Sequence, residues 1–403
     1  MSLIEAISGL FISSSNIDLV SNNIANASTI GFKSSTLSLH NIVSDSFEST
    51  EKKTSGVGIS NFVQNFNNGA FIETGKDLDL SISNNGFFRV LDSNGQVHYT
   101  RNGQFLIDKN FNIVNFQGMY LTGRNNSLFQ RKLSNSSNLE PINLKNYRIL
   151  KAKPTTKITL SPILNSDVHL NNTENIEKYN TQITIYNKDG QPQILEINFA
   201  KNDLKKWRVH IKSKNVFNNS SEQNIIDKIC NLEFDDNGKL SSSPNFDISL
   251  NDKFKNNKIT LDFTGTVESS NNKDLFLNAI HQDGYEQGSL KTLNVLKNGK
   301  IISYYSNQKT QEISQIVLSK FVNPEKLKPE SGNVWSATKD SGKEEIGNAG
   351  CLGFGEILSK TLETSNVDLN KELINMIVAQ RNYQSSAQAF KAEDKIVNTL
   401  INL

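Results

Sequence analysis

The sequence predicts a mixed multidomain fold: N- and C-terminal helices pairing as a coiled coil, with two mainly β domains between them, the second inserted in the first. Three features carry this. Both ends show seven-residue apolar repeats, the middle switches to two-residue alternation broken by tight-turn dipeptides, and a Lys-, Asn- and Ser-rich stretch interrupts that middle. At 403 residues the chain has room for two to three domains of about 150 residues each.

At the N-terminus Leu3, Leu10, Ile17 and Ile24 recur every seven residues, with Ile7, Ser14 and Ser21 between them, which is a coiled-coil seam with two small polar positions. At the C-terminus Leu369, Leu373, Met376, Gln380, Tyr383, Ala387, Phe390, Asp394, Val397 and Ile401 alternate steps of four and three. Neither Pro nor Gly follows Gly355. A helix from Asn366 to the end would span about 55 Å, with Ser365 or Asn366 as its cap and Asp368 in its first turn. Ile377, Val378 and Ile396 lie off the seam and leave apolar surface after one partner is satisfied.

Between the ends, Asn94-Gly95, Asp189-Gly190, Asn237-Gly238 and Asn298-Gly299 are preferred dipeptides for tight hairpin turns. Their flanks alternate, as in Gln182-Ile183-Thr184-Ile185-Tyr186 facing Ile194-Leu195-Glu196-Ile197. The expected organisation is a terminal helical domain of 1–30 and 366–403, a connector at 31–69, and an inner β domain of 70–142 and 284–358. An outer β domain, 143–283, is inserted there, and 359–365 is a linker. With 55 Asn in the chain, single Asn residues are discounted as turn or cap signals.

Composition excludes several function classes. Lys and Arg number 43 against 41 Asp and Glu, so no net charge points to nucleic acid or an anionic membrane. Cys230 and Cys351 are too few and too far apart for a disulfide framework or a Cys-rich zinc module. The five histidines lack ligand spacing, so no metal and no cofactor is expected. The Gly56-Val57-Gly58 run lacks a third glycine in the dinucleotide pattern, and the calcium-like run from Glu233 has Pro244 at its twelfth place. No catalytic residue is assigned, and the chain is not expected to be an enzyme. No apolar stretch is long enough for a membrane span, and the N-terminus lacks the plan of a cleaved signal peptide.

The terminal helices are marginal alone. Burying about sixteen seam positions, several small or polar, competes with ordering about 60 residues at about 1–2 kcal/mol each. Helices of this kind point to a larger array of copies.

At Ser21-Asn22-Asn23-Ile24-Ala25-Asn26 through Gly31-Phe32-Lys33, the chain resembles the rod, hook and hook-associated family of bacterial flagella. The likeness extends through Asn67-Asn68-Gly69-Ala70-Phe71, Asn85-Gly86-Phe87-Phe88, Tyr99-Thr100-Arg101-Asn102-Gly103 and the last 40 residues. Within that family the large insertion favours the hook over the distal rod. Asn84 stands where such proteins usually carry glycine, a position that asks for left-handed backbone.

The resemblance implies a structural polymer: a tubular universal joint linking rod to filament and transmitting torque, its terminal helices lining a central export channel. The implied partners are other copies of the chain, the distal rod protein, a hook-associated junction protein, the hook cap and the flagellar type III export apparatus. The implied location is the extracellular hook of the basal body. Assembly roles carry over to Asn22, Asn23, Ile24, Ala25, Asn26, Gly31 and Phe32, and to Asn366, Val367, Asp368, Leu369, Met376, Gln380, Arg381 and Tyr383. Leu3, Leu10, Ile17 and Leu373 join them as seam positions. A distal rod subunit is the near alternative, and a secreted β-rich adhesin the alternative of another class.

Overall fold

The computed structural model describes residues 3–44, 53–125, 139–166, 179–214, 226–249, 258–270 and 276–401. Two compact units emerge. The first comprises Met1–Tyr147, Thr292–Tyr304 and Thr310–Leu403, and the second Arg148–Lys291 with Tyr305–Lys309.

In the first unit an antiparallel sheet runs in the order Glu345–Asn348, Thr310–Lys320, Phe87–Leu91, Val97–Thr100, Val334–Ser336 and Lys328–Glu330. Period-two sequence builds it: Phe88 and Val90 alternate with Arg89 and Leu91, and the first pair is fully buried. Phe87, Tyr99, Phe321, Leu327 and Trp335 form an aromatic core beside Phe66. Rings of Phe66, Phe87 and Trp335 meet edge to face at 5.2–5.8 Å between centroids. The glycines of all four expected turn dipeptides have positive φ, and so does Asn84, at 69°.

Helix α1 (Leu3–Ala25) and helix α2 (Leu369–Ile401) pack together in this unit. They run antiparallel: Gly9 lies against Ser386, while Ser34, just past the end of α1, donates its N–H to Asn366, just before α2. The 33 residues of α2 span about 50 Å.

The seam is rotated from its expected position. On α1 it is Ala6, Ser13 and Val20 that are buried, while Ile7, Ser14 and Ser21 face out. On α2 Ala379 is buried, whereas Leu369, Leu373, Gln380 and Tyr383 are exposed. The physical reason is size. A Cβ on Gly9 would stand 3.0 Å from the Ser386 hydroxyl, so the axes approach through small residues, which a search for large apolar positions passes over.

The cap of α2 also differs. Asp368 Oδ1 accepts the N–H groups of Asn370 and Lys371 at 3.0 and 3.2 Å, making Asp368 the N-cap, while Asn366 bonds elsewhere. The segment expected as a connector holds a hairpin, Ser35–Ser44 against Lys53–Gln64, that lies along α1 where Gly56 meets Ser8. Within the expected linker, Thr361–Glu363 is a strand paired with Phe71–Glu73.

The second unit contains a four-strand antiparallel meander, Tyr179–Tyr186, Pro192–Asp203, Lys206–Lys214 and Ile226–Glu233. A five-strand sheet centres on Lys157–Asn165, which pairs in parallel with Lys258–Asp262 and Val267–Ser269 and antiparallel with Phe276–Gln282. Leu160, Leu195, Phe199, Trp207, Leu261 and Phe263 share one core drawn from both sheets. Where the chain enters and leaves, Asp283 accepts the backbone N–H groups of Thr156 and Lys157 at 2.8 and 3.0 Å. Partial burial opposes its charge, yet these donors, the Thr156 hydroxyl and Lys153 hold its carboxyl well below the usual range.

Candidate assembly site

The roots of both helices meet at one buried ionic node. Glu363, fully buried, places Oε1 2.6 Å from Lys33 Nζ and Oε2 3.3 Å from Arg101 Nη1. Lys33 also donates to the Asn67 carbonyl at 2.7 Å, and the Gly69 N–H donates to Glu363 Oε1 at 3.0 Å. Arg101 donates through Nη2 to the Asn84 carbonyl at 2.7 Å and stacks over Phe87 at 5.3 Å. Burial and the neighbouring Arg101 charge bring the Lys33 ammonium down to about 8, against the opposing pull of Glu363.

Around the node the chain locks itself. Gly31, at φ 69°, donates its N–H to the Glu363 carbonyl at 2.8 Å, and a Cβ there would strike the Arg101–Asn102 backbone at 2.7 Å. Asn23 is buried and exchanges two hydrogen bonds with the backbone of Ser35, at 2.9 and 3.1 Å. Asn366 donates to the carbonyls of Asn65 and Asn67. Asn26 donates to the Asn22 side chain at 2.8 Å and accepts from Thr29, finishing α1 locally. Lys33, Arg101 and Glu363 themselves were absent from the expected site, because residues 330 apart give no local signal.

The expected site residues therefore divide. Asn23, Gly31 and Asn366 serve contacts within the chain. Leu10, Ile17, Ile24, Phe32, Val367 and Met376 are half-buried. Asn22, Ala25, Asp368, Leu369, Leu373, Gln380, Arg381 and Tyr383 are exposed; the Leu3 side chain lies outside the described residues. Exposed with them are Ile7 and Phe11 on α1 and Ile374, Ile377, Val378, Ile396 and Val397 on α2, so one chain leaves a broad apolar stripe unburied.

Beyond this region, Cys230 is buried, which pushes its thiol up, and Cys351 is exposed. The calcium-like run is a turn in which Asp235 accepts the N–H groups of Asn237 and Lys239. Among the described residues, no group of three His, Cys, Asp or Glu could hold a metal ion, and no helix is long and apolar enough to cross a membrane.

Family models match four parts of the chain. "Flagella basal body rod protein" covers residues 6–33, and "Flagellar hook protein FlgE/F/G D1 domain" residues 81–191. "Flagellar basal body protein FlaE D2 domain" covers 155–285, and "Flagellar basal body rod FlgEFG protein C-terminal" 358–403. The flagellar hook protein FlgE of Escherichia coli (strain K12) is 38% identical over 414 aligned residues, covering all of both chains. The chain belongs to the flagellar hook protein family. The hook protein of Salmonella typhimurium is 37% identical, again over both full lengths. The crystal structure of Helicobacter pylori flagellar hook protein FlgE2 aligns with a TM-score of 0.55 at 16% identity, covering 73% of this chain and all of that one, and it shows the shared fold. As a hook family member the chain is a structural hook subunit. Its relatives favour neither the rod-subunit nor the adhesin alternative, and they are structural proteins rather than enzymes.

Proposed function

We propose that copies of this chain polymerise into the helical wall of a flexible tube, with the paired helices innermost around an export channel and the β units outside. The observation that carries this is the division of burial along the helix pair: Ala6, Ser13 and Ala379 are buried and Gly9 lies against Ser386, while Leu369, Leu373, Ile374, Ile377 and Val378 are exposed. A monomer gains nothing from an exposed stripe of Leu369, Leu373, Ile374, Ile377 and Val378; a second copy removes that surface from water.

The tube joins the distal rod at one end and a hook-associated junction protein at the other. It grows beneath a hook cap and receives subunits through the flagellar type III export apparatus. Its place is outside the cell, at the hook of the basal body. The exposed positions Asn22, Ala25, Leu369, Leu373, Gln380, Arg381 and Tyr383 form the contact surface between copies. Exposed strand positions of the second unit are largely polar, among them Gln182, Arg208, Lys228 and Asn231, which suits neighbours that slide during bending.

Electron microscopy of the purified chain tests this. Tubes are expected from the full chain and none from chains lacking 1–30 or 366–403. Tubes from either truncated chain would remove the helices from the wall.

A further inference from the structure

The loop Asn348–Gly355 holds the most exposed of the large hydrophobic side chains described. Leu352 is 91% exposed and sits at φ 51°, a left-handed conformation that a branched side chain rarely adopts. The loop does not reach this shape by being loose. Gly350 N–H donates to the Gly355 carbonyl, Cys351 N–H to Asn348, Phe354 N–H to Cys351 and Gly355 N–H to Asn85, at 3.0, 3.3, 2.9 and 2.7 Å. Two unfavourable features, a left-handed backbone and a leucine left 91% exposed, coincide at one residue.

At the far side of the same sheet lies a groove of about 730 Å³, between the C-terminal half of α1 and the strands Lys328–Glu330 and Val334–Ser336. Leu19, Phe32, Phe62, Pro329 and Trp335 supply its apolar lining, and Asn22 and Gln117 stand on its wall. The α1 side of the groove continues the outer face of that helix. Ile7, Phe11, Ser15, Asp18, Asn22 and Asn26 follow one another at helical steps of three and four, so the groove opens from the exposed apolar stripe.

The loop with Leu352 follows Glu345–Asn348, one edge strand; the groove adjoins Lys328–Glu330, the opposite edge. Five strand spacings separate these edges, about 24 Å. A protrusion on one edge and a hollow on the other, within one compact unit, make a contact that does not close on itself and repeats from copy to copy.

We propose that the Leu352 loop of one copy seats in the α1-flanking groove of the next, forming a head-to-tail contact between inner β units. This rests on the polymer described above. Burial of the Leu352 side chain in the neighbour offsets the strain that the isolated chain carries.

The natural thiol of Cys351, beside Leu352, provides the test. Gln117→Cys places a second thiol on the groove, and Cys230 is buried away from both. Mild oxidation of assembled Gln117→Cys protein is expected to give disulfide-linked dimers and ladders, absent when Cys351→Ser is added and absent in unassembled protein. Leu352→Gly removes the side chain while suiting the positive φ. Its monomer is expected to melt no lower than the parent, while the critical concentration for assembly rises about tenfold, as losing one buried leucine implies. Tubes that form normally but yield no cross-link, or a Leu352→Gly chain that assembles at the parental concentration, would overturn the contact and leave the helix-based polymer standing. Failure of the parent chain to form any polymer would overturn both.

Discussion

The root of the helix pair and its outer face use their motif residues in opposite ways. At the root, Gly31, Lys33, Arg101 and Glu363 are buried and bond to one another inside a single chain at 2.6–3.3 Å, with half-buried Asn366 tying Ser34 to Asn65 and Asn67 beside them. Along the outer face Leu369, Leu373, Ile377 and Tyr383 touch solvent and await a partner. The root fixes where the helices leave the β unit; the face decides what they meet. Similar sequence signals thus mark two jobs, one within the subunit and one between subunits.

Substitutions that break one region without the other sharpen this contrast, and their expected effects on the single chain fall in order. Glu363→Ala comes first, since it leaves two buried cations without a carboxylate. Its unfolding free energy in urea is expected to drop by about 3–5 kcal/mol. Ala379→Leu overpacks the seam where small residues hold the axes close, and a loss of about 1–3 kcal/mol is expected by the same measurement.

A third effect concerns pH. Lys33 titrates near 8 in the folded chain and near its ordinary 10.5 when unfolded, so between these values the unfolded chain binds more protons. Lys33 therefore contributes a rise in stability with increasing pH across that window, because the cost of a buried ammonium is lifted. The difference in unfolding free energy between the parent and Lys33→Met should shift in the parent's favour from pH 8 to 10.5; a flat difference would mean that Lys33 is not held below its ordinary value.

Much of this architecture was legible in local sequence. Turn chemistry announced itself at Asn94-Gly95 and Asp189-Gly190, where positive φ at Gly is a backbone requirement written in residue type. The helices were legible from their repeats, but the seam was not, because a repeat of large residues records every apolar contact a helix will make, including those with other copies. Gly9 and Ser386 mark a close approach, Ala6, Ser13 and Ala379 are buried, and all five carry almost no hydrophobic signal. Discounting Asn as a turn signal also lost information: the side chains of Asn115 and Asn187 each accept two backbone N–H groups and shape their turns. The paired strands Ser35–Ser44 and Lys53–Gln64 were obscured by their serines, and the node by its separation along the chain.

The smallest expected change in the single chain belongs to Leu373→Asp, and it tests the central claim most directly. Leu373 is 47% exposed, so an aspartate there should alter monomer stability by no more than about 0.5 kcal/mol. Sedimentation of this variant, paired with its urea unfolding curve, should show a monomer as stable as the parent that forms no tubes at concentrations where the parent assembles fully. Tubes at the parental concentration, or a monomer that has lost its fold, would contradict the assignment of that face to contacts between copies.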